Sequence, residues 1–259
     1  MFNIGVNDTD YVIDIHSHTN SGSKYDTVSN ETHSAELNVQ MENNKSVNIK
    51  QMFCSTFSSV LSCEEIEKEN DYMYNLSLQY DNLYQWVVID PRNEKTFTQA
   101  KRMLNNVKCV GIKLHPVYHG YSLTQYGDRL FSFASEYNST VLIHPETDAD
   151  YILPFADKFP DVNFIIAHLG AKDGTKYADA IELSKNHNVY TDTSGGNISK
   201  NRILEYTVDR VGSEHILFGT DNYSPASQYG RIVFAQISEK DKENILRQNA
   251  KKLFNQFLK

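Results

Sequence analysis

The sequence contains little cysteine. Three cysteines occur in 259 residues, at Cys54, Cys63 and Cys109, and no two of them form a C-x-x-C motif. An odd number cannot all pair with one another in disulfides, and the spacing does not fit the usual structural zinc motifs. We therefore exclude a disulfide-stabilised secreted scaffold and expect reduced thiols in a cytoplasmic protein.

A long hydrophobic run and a basic cluster are also absent. No segment reaches the roughly 20 apolar residues that a membrane helix needs, and residues 1–8 lack the basic start and apolar run of a signal peptide. Acidic residues outnumber basic ones, 33 to 25, so the net charge is -8. We expect a small-molecule substrate, with neither nucleic acid nor a membrane as a partner. A homodimer is the default expectation for assembly, because it is the commonest oligomer.

A glycine-rich phosphate loop is the third absence, and it bears on the fold. Short apolar segments of strand character alternate with helical segments along the whole chain, which is typical of a parallel sheet with crossover helices. Eight such units predict a closed (β/α)8 TIM barrel, an α/β fold that forms a single domain over residues 1–259. A doubly wound open sheet is the alternative, but its phosphate loop is missing after the first strand.

Residues 19–47 interrupt this alternation. They are rich in Asn, Ser, Thr, Glu and Lys and contain few apolar positions. A loop of this length in a compact domain is usually a lid, a binding loop or a mobile excursion. Because the segment directly follows the first strand, we expect an insertion that covers the active site.

Strong metal-ligand candidates occur where the predicted strands end. His16 and His18 end the first strand, and side chains two residues apart on a strand point the same way. His144 ends the fifth strand, His168 the sixth and Asp221 the eighth. The carboxyl ends of all barrel strands face one cavity, so these side chains are expected to converge. Imidazoles with a carboxylate are typical of a transition-metal site.

The strand-end motifs resemble those of the amidohydrolase superfamily, and more narrowly its amidohydrolase-related branch of metal-dependent hydrolases and decarboxylases. The similarity rests on five segments and on a closing helix near residues 243–254. The five segments are IDIHSH at 13–18, GIKLHP at 111–116, VLIHP at 141–145, IAHLG at 166–170 and LFGTD at 217–221.

The resemblance implies a role for each strand-end residue. His16, His18 and His144 would bind the metal, and Asp221 would be a further ligand or would accept a proton from metal-bound water. His168 would stand beside the metal and polarise the substrate or move a proton. Three imidazoles and a carboxylate suit Zn²⁺, so one zinc ion is the expected cofactor.

Lys113, His115 and Glu146 are the expected substrate-binding residues. In binuclear amidohydrolases a lysine at the end of the fourth strand is carboxylated and bridges two metals. In the branch that this chain resembles the site is usually mononuclear, and Lys113 would then contact an anionic substrate or form an ion pair. The sequence leaves both roles open, and two metal ions are expected only if Lys113 is carboxylated.

The leading functional hypothesis is a metal-dependent hydrolase, in which activated water attacks a small substrate with a C–N or C–O bonded carbonyl carbon. Non-oxidative decarboxylation of an aromatic or unsaturated acid is the alternative. Such an acid needs a cationic partner, and Lys113, Arg92 and Lys172 are weak candidates, which favours hydrolysis. A barrel that binds a ligand without catalysis would not need both His168 and Asp221.

Overall fold

The computed structural model describes residues 11–26, 35–171 and 174–258. Within them, eight parallel strands follow one another around the sheet in chain order. The strands are Val12–Thr19 (β1), Ile49–Thr56 (β2), Leu83–Val88 (β3), Cys109–Leu114 (β4), Thr140–Ile143 (β5), Asn163–Ile166 (β6), Val189–Asp192 (β7) and Ile216–Leu217 (β8). The predicted (β/α)8 barrel is confirmed.

Helices connect successive strands, as the alternation predicted. They are Leu37–Lys45 (α1), Phe57–Leu61 (α2), Ile66–Ser77 (α3), Glu94–Met103 (α4), Pro116–His119 (α5), Leu123–Glu136 (α6), Leu153–Lys158 (α7), Lys176–Leu183 (α8), Ile203–Val211 (α9), Pro225–Val233 (α10), Glu239–Glu243 (α11) and Asn249–Leu253 (α12). Short 3₁₀ segments lie at Ala149–Ile152, Ala167–Gly170 and Gly196–Ser199, and Asn244–Gln248 is a π-helical turn. Throughout the described ranges, no helix is both long and apolar enough to cross a membrane.

The barrel closes through the backbone that follows β8. The Ile15 N–H donates to the carbonyl of Phe218 over 3.0 Å. The N–H groups of Thr220 and Asp221 both donate to the carbonyl of His16, over 3.1 and 2.7 Å. β8 is short because the chain leaves the strand to make these bonds. This closure brings Asp221, the last of the strand-end ligand candidates in the chain, next to His16, the first.

The amino-terminal ends of the strands are covered by the C-terminal helix. Phe254 packs edge-on against Phe53 and Trp86, with ring centroids 4.9 and 5.8 Å apart. The Tyr84 hydroxyl, near the start of β3, donates to the carbonyl of Phe257 over 3.2 Å. This end of the barrel is thus filled by a large apolar cluster, and the opposite end is left for polar groups.

The segment at 19–47 is more ordered than its composition indicated. β1 extends to Thr19, and α1 occupies Leu37–Lys45. In α1, Gln40 is buried and its amide nitrogen donates to the carbonyls of His18 and Ala35. Sequence reasoning missed this helix because much of its buried side is polar, so it shows no apolar periodicity. Residues 27–34 lie outside the described residues, and a covering role for the segment stays a prediction.

A close approach of two strands generates the first test. A Cβ atom on Gly111 in β4 would lie 2.2 Å from the Thr140 carbonyl oxygen and 2.6 Å from the Trp86 ring. The first of these is backbone, which cannot move aside without breaking the sheet. We expect Gly111→Ala to lower the free energy of unfolding by about 3 kcal/mol, measured by urea denaturation.

Gly230→Ala is the matched control. A Cβ at Gly230 meets no atom within 4 Å, and the residue lies inside α10. Alanine there should raise the free energy of unfolding by about 0.5 kcal/mol, since it favours the helix more than glycine does. Equal stabilities for the two variants would contradict the strand packing described above.

Candidate metal centre

Three of the predicted ligands converge at the carboxyl ends of β1 and β8. His18 Nε2 lies 3.1 Å from Asp221 Oδ1, and His16 Nε2 lies 3.7 Å from the same oxygen. The two imidazoles are nearly perpendicular, with centroids 5.2 Å apart. Both rings are buried, whereas the Asp221 side chain keeps 17% of its surface exposed. The ring nitrogens therefore point at a carboxylate that a small molecule can reach.

The second nitrogen of each of these rings is held by another side chain. His16 Nδ1 lies 2.9 Å from Asp192 Oδ2, and His18 Nδ1 lies 2.9 Å from Ser55 Oγ. A carboxylate can only accept, so His16 carries its proton on Nδ1 and presents a lone pair on Nε2. Partners of this kind fix the ring orientation of metal-binding histidines.

His168 and His144 form the other side of the site. His168 stacks on His16, with centroids 5.0 Å apart, and its Nδ1 lies 3.9 Å from Asp221 Oδ2. His144 Nδ1 lies 3.1 Å from His168 Nε2. Within the described residues, His16, His168 and Asp221 form a group whose ligand atoms all lie within 4.8 Å of one another. His144 is not part of that group and reaches it through His168.

The backbone at two site residues is left-handed. His168 has a φ of 63° and Asp221 a φ of 51°, values that are uncommon for residues other than glycine. Hydrogen bonds hold both: the His168 N–H donates to Asp192 Oδ1 over 3.0 Å, and the Asp221 N–H donates to the His16 carbonyl. Conformations of this kind cost of order 1–3 kcal/mol each and cluster at functional sites.

Lys113 projects into the same cluster. Its Nζ lies 2.8 Å from His16 Nε2, and the side chain is 1% exposed. Burial lowers the pKa of Lys113 to about 8, against an opposing effect from Asp221 and Asp192. Because His16 is protonated on Nδ1, its Nε2 accepts a hydrogen bond from the lysine. The described site thus contains a buried basic nitrogen next to the candidate ligands.

His115 and Glu146 have different surroundings. His115 stacks on His144 with centroids 4.1 Å apart and on Tyr118 with centroids 4.4 Å apart. It therefore belongs to the wall of the site. Glu146 Oε2 accepts a hydrogen bond from the Leu123 N–H over 3.0 Å, at the beginning of α6. One of its oxygens is thus engaged in holding a helix terminus.

Arg92, another of the predicted cations, is engaged away from the described site. Arg92 pairs with Asp90 through two hydrogen bonds of 2.9 and 2.8 Å, and it also donates to the carbonyls of His119 and Gly120. It therefore fastens the loop after β4 to the loop after β3. Lys172 lies outside the described residues.

The electrostatics of the site suit a divalent cation. Burial lowers the pKa of His16, His18 and His168, and it lowers that of His144 to about 2, so the imidazoles are neutral at pH 7. Burial by itself would raise the pKa of Asp221, but its contacts with His168 and His18 hold the pKa well below its usual range. Neutral imidazoles and an ionised carboxylate are the forms that bind metal. The donor set is nitrogen and oxygen, which suits zinc and other first-row divalent ions.

Comparison with known proteins shows the family of the chain. A sequence model whose description is amidohydrolase matches residues 13–256. The chain belongs to the amidohydrolase family. The resemblance drawn from the strand-end motifs is thereby confirmed. None of the curated protein sequences compared with the chain matches it.

Solved structures of the same fold include decarboxylases. The 2,6-dihydroxybenzoate decarboxylase from Rhizobium has a TM-score of 0.75 at 16% identity, covering 95% of this chain and 99% of that one. A dihydroxybenzoic acid decarboxylase from Polaromonas, with bound manganese and the inhibitor 2-nitroresorcinol, has a TM-score of 0.70 at 14% identity, covering 96% and 98%. A candidate amidohydrolase from Staphylococcus aureus has a TM-score of 0.71 at 17% identity, covering 95% and 99%. At these identities the likeness concerns the fold.

Sequence reasoning missed Asp192 and Ser194. Both are fully buried at the end of β7, and both contact His16. The available signal was the position of Asp192 itself, because a carboxylate at a barrel strand's carboxyl end faces the same cavity as the histidines.

Asp192→Asn tests the centre. The amide cannot impose the Nδ1-protonated form on His16 as a carboxylate does, so the Nε2 lone pair is no longer guaranteed. We expect the dissociation constant for Zn²⁺ to rise about 10- to 100-fold, measured by competition with a chromophoric chelator. Asp209→Asn, which changes an exposed carboxylate in α9, should leave the dissociation constant for Zn²⁺ unchanged. Equal zinc affinities for both variants would show that Asp192 does not support the centre.

Proposed function

We propose that this amidohydrolase-family protein is a metal-dependent decarboxylase that removes CO2 from a small aromatic or conjugated carboxylic acid. The observation that carries the proposal is the Lys113 nitrogen 2.8 Å from His16 Nε2. The apparent lack of a cation for a carboxylate substrate had favoured hydrolysis. A buried lysine beside the candidate ligands supplies that cation. The three decarboxylase and amidohydrolase structures of the same fold are compatible with either reaction, and two of them are decarboxylases.

The proposed ligands are His16, His18, His144 and Asp221, with His168 next to them. A bound divalent ion would hold substrate oxygens and stabilise negative charge there. Zinc remains the first candidate because of the donor set, and manganese is the second because the Polaromonas decarboxylase contains it. We propose one ion; a carboxylated Lys113 would allow two.

The reaction needs a proton on carbon. When the bond between the ring carbon and the carboxylate breaks, CO2 leaves with the bond electrons remaining on carbon, and a proton must take its place. Asp221 is an ionised and partly exposed carboxylate, so it would take up a proton from solvent and pass it to the ring carbon, with His168 Nδ1 3.9 Å away as the second proposed proton carrier. Lys113 would attract the substrate carboxylate, and its pKa of about 8 leaves it mainly protonated at pH 7.

A column of rings favours a planar substrate. Tyr118, His115 and His144 stack in parallel, with interplanar angles of 17° and 15°. Tyr118 is 60% exposed at the outer end of the column, and His144 lies at the inner end beside His168. The faces of stacked rings cover one another, so a flat conjugated molecule would extend the column by stacking on a face at one of its ends. The small-molecule substrate, the homodimer and the cytoplasmic location stay predictions.

A substrate screen separates the two reactions. The zinc- and manganese-loaded protein is incubated with carboxyl-labelled hydroxybenzoates and unsaturated acids, and released CO2 is counted. In parallel, lactones, esters and amides are followed by acid release at constant pH. We expect labelled CO2 from at least one hydroxybenzoate-type acid. Turnover confined to the lactone, ester or amide set would establish hydrolysis instead.

Asp221→Asn tests the proton carrier. The amide keeps the size of the side chain but cannot take up a proton, so we expect turnover of the substrate found in the screen to fall about 1,000-fold. The free energy of unfolding should change little, which circular dichroism during urea denaturation would report. Asp209→Asn serves again as the surface control. Full activity in Asp221→Asn would remove Asp221 from the reaction.

A further inference from the structure

Ser194 occupies an unusual position between two site histidines. Its Oγ lies 2.9 Å from His16 Nδ1 and 2.8 Å from His168 Nδ1, and it also makes a short hydrogen bond to Asp192 Oδ1. Ser194 and Asp192 are fully buried. No role has been given to this serine so far, yet it touches both strand-end histidines at once.

The proton of the Ser194 hydroxyl can be placed. Asp192 accepts hydrogen bonds from the N–H groups of His168 and Ser194 and lies 2.9 Å from His16 Nδ1, so it acts as an acceptor. Its Oδ1 also contacts Ser194 Oγ, and the hydroxyl is the group of that pair that has a proton to donate. The hydroxyl has one proton, which it donates to Asp192. Ser194 Oγ must therefore accept from His168.

This placement determines the protonation of two rings. His168 carries its proton on Nδ1 and donates it to Ser194, so its Nε2 holds a lone pair. That lone pair lies 3.1 Å from His144 Nδ1, which must then carry the proton of its own ring. Both nitrogens of His168 are engaged. His144 is left with a lone pair on Nε2.

We propose that Ser194, oriented by Asp192, is a positioning residue that sets the tautomers of His168 and His144 and makes His144, rather than the nearer His168, the third imidazole ligand. The inference rests on the proposed metal-dependent function for its consequence, but the tautomers themselves are a property of the chain. Proximity alone would favour His168, because its ligand atom lies within 4.8 Å of those of His16 and Asp221. The hydrogen bonds through Ser194 instead leave the free lone pair on His144 Nε2, which favours His144 as the ligand.

Gly195 and Gly219 allow Ser194 to lie this close to His16 and His168. A Cβ on Gly195 would lie 3.0 Å from His168 Nδ1, and a Cβ on Gly219 would lie 2.9 Å from the Cβ of His16 and 3.1 Å from that of Ser194. The space around the serine is therefore filled. A larger hydroxyl residue would disturb the packing, so alanine is the suitable substitution.

The test is a ¹⁵N NMR measurement on histidine-labelled, full-length protein without metal. In the unsubstituted protein we expect His16, His144 and His168 to be protonated on Nδ1. In Ser194→Ala the acceptor for the His168 proton is gone, so His168 and His144 should lose this preference and shift toward Nε2 protonation. His144→Asn and His168→Asn assign the signals by their disappearance.

Ser184→Ala is the matched control. Ser184 is a buried serine near the other end of β7, and it donates to Asn188 instead of contacting a histidine. Its removal should leave the histidine spectrum unchanged. Nδ1 protonation of His168 that persists in Ser194→Ala would overturn the proposal. So would Nε2 protonation of His168 in the unsubstituted protein, a result that does not depend on whether any variant folds.

Metal binding gives a second readout that is separate from activity. Loading with Co²⁺ should produce the same absorption spectrum in the unsubstituted protein and in Ser184→Ala. Ser194→Ala should give a different spectrum, and its dissociation constant should be about tenfold higher, because the lone pair on His144 Nε2 is no longer set in advance by the hydrogen bonds. An identical spectrum and affinity in Ser194→Ala would count against the proposal. A failure to release CO2 from any acid would defeat the proposed function and leave these results standing.

Discussion

One buried carboxylate connects most of the site. Asp192 accepts from the ring of His16, 176 residues away in the chain, and from the backbone of His168. Through Ser194 it also reaches the His168 ring. It therefore ties the ends of β1, β6 and β7 together. Because the charge is fully buried, its hydrogen bonds are strong and the loss of any of them would be costly.

The positions of the strand ends predicted which residues lie together in the candidate site, but not how their hydrogen bonds are arranged. Alternation of apolar strands and helices predicted the barrel, and the barrel in turn placed His16, His18 and Asp221 together, since all strands end at one face. Proton positions depend on distances between side chains from different strands, which no spacing in the sequence encodes. Ser194 was missed for that reason, whereas Asp192 was overlooked although its position at the end of β7 was a usable signal. α1 was missed for another reason, because it buries polar side chains against β1.

Lys113 shows how burial changes the meaning of a residue. In the sequence it was one of several weak cation candidates, with a bridging and a substrate-binding role both open. In the structure it is enclosed, and Arg92 is occupied with Asp90. A buried amine that is held beside an imidazole is available to an incoming anion without first being pulled from solvent. The same group on the surface would contribute little to binding.

The left-handed backbone at His168 and Asp221 lowers the stability of the protein at two residues of the candidate site. Glycine would adopt either conformation without strain, so replacing these side chains with glycine relieves energy at the expense of the site. Selection for thermal stability alone would therefore tend to erode both positions. A thermostable variant of this barrel is best sought far from the ends of β6 and β8.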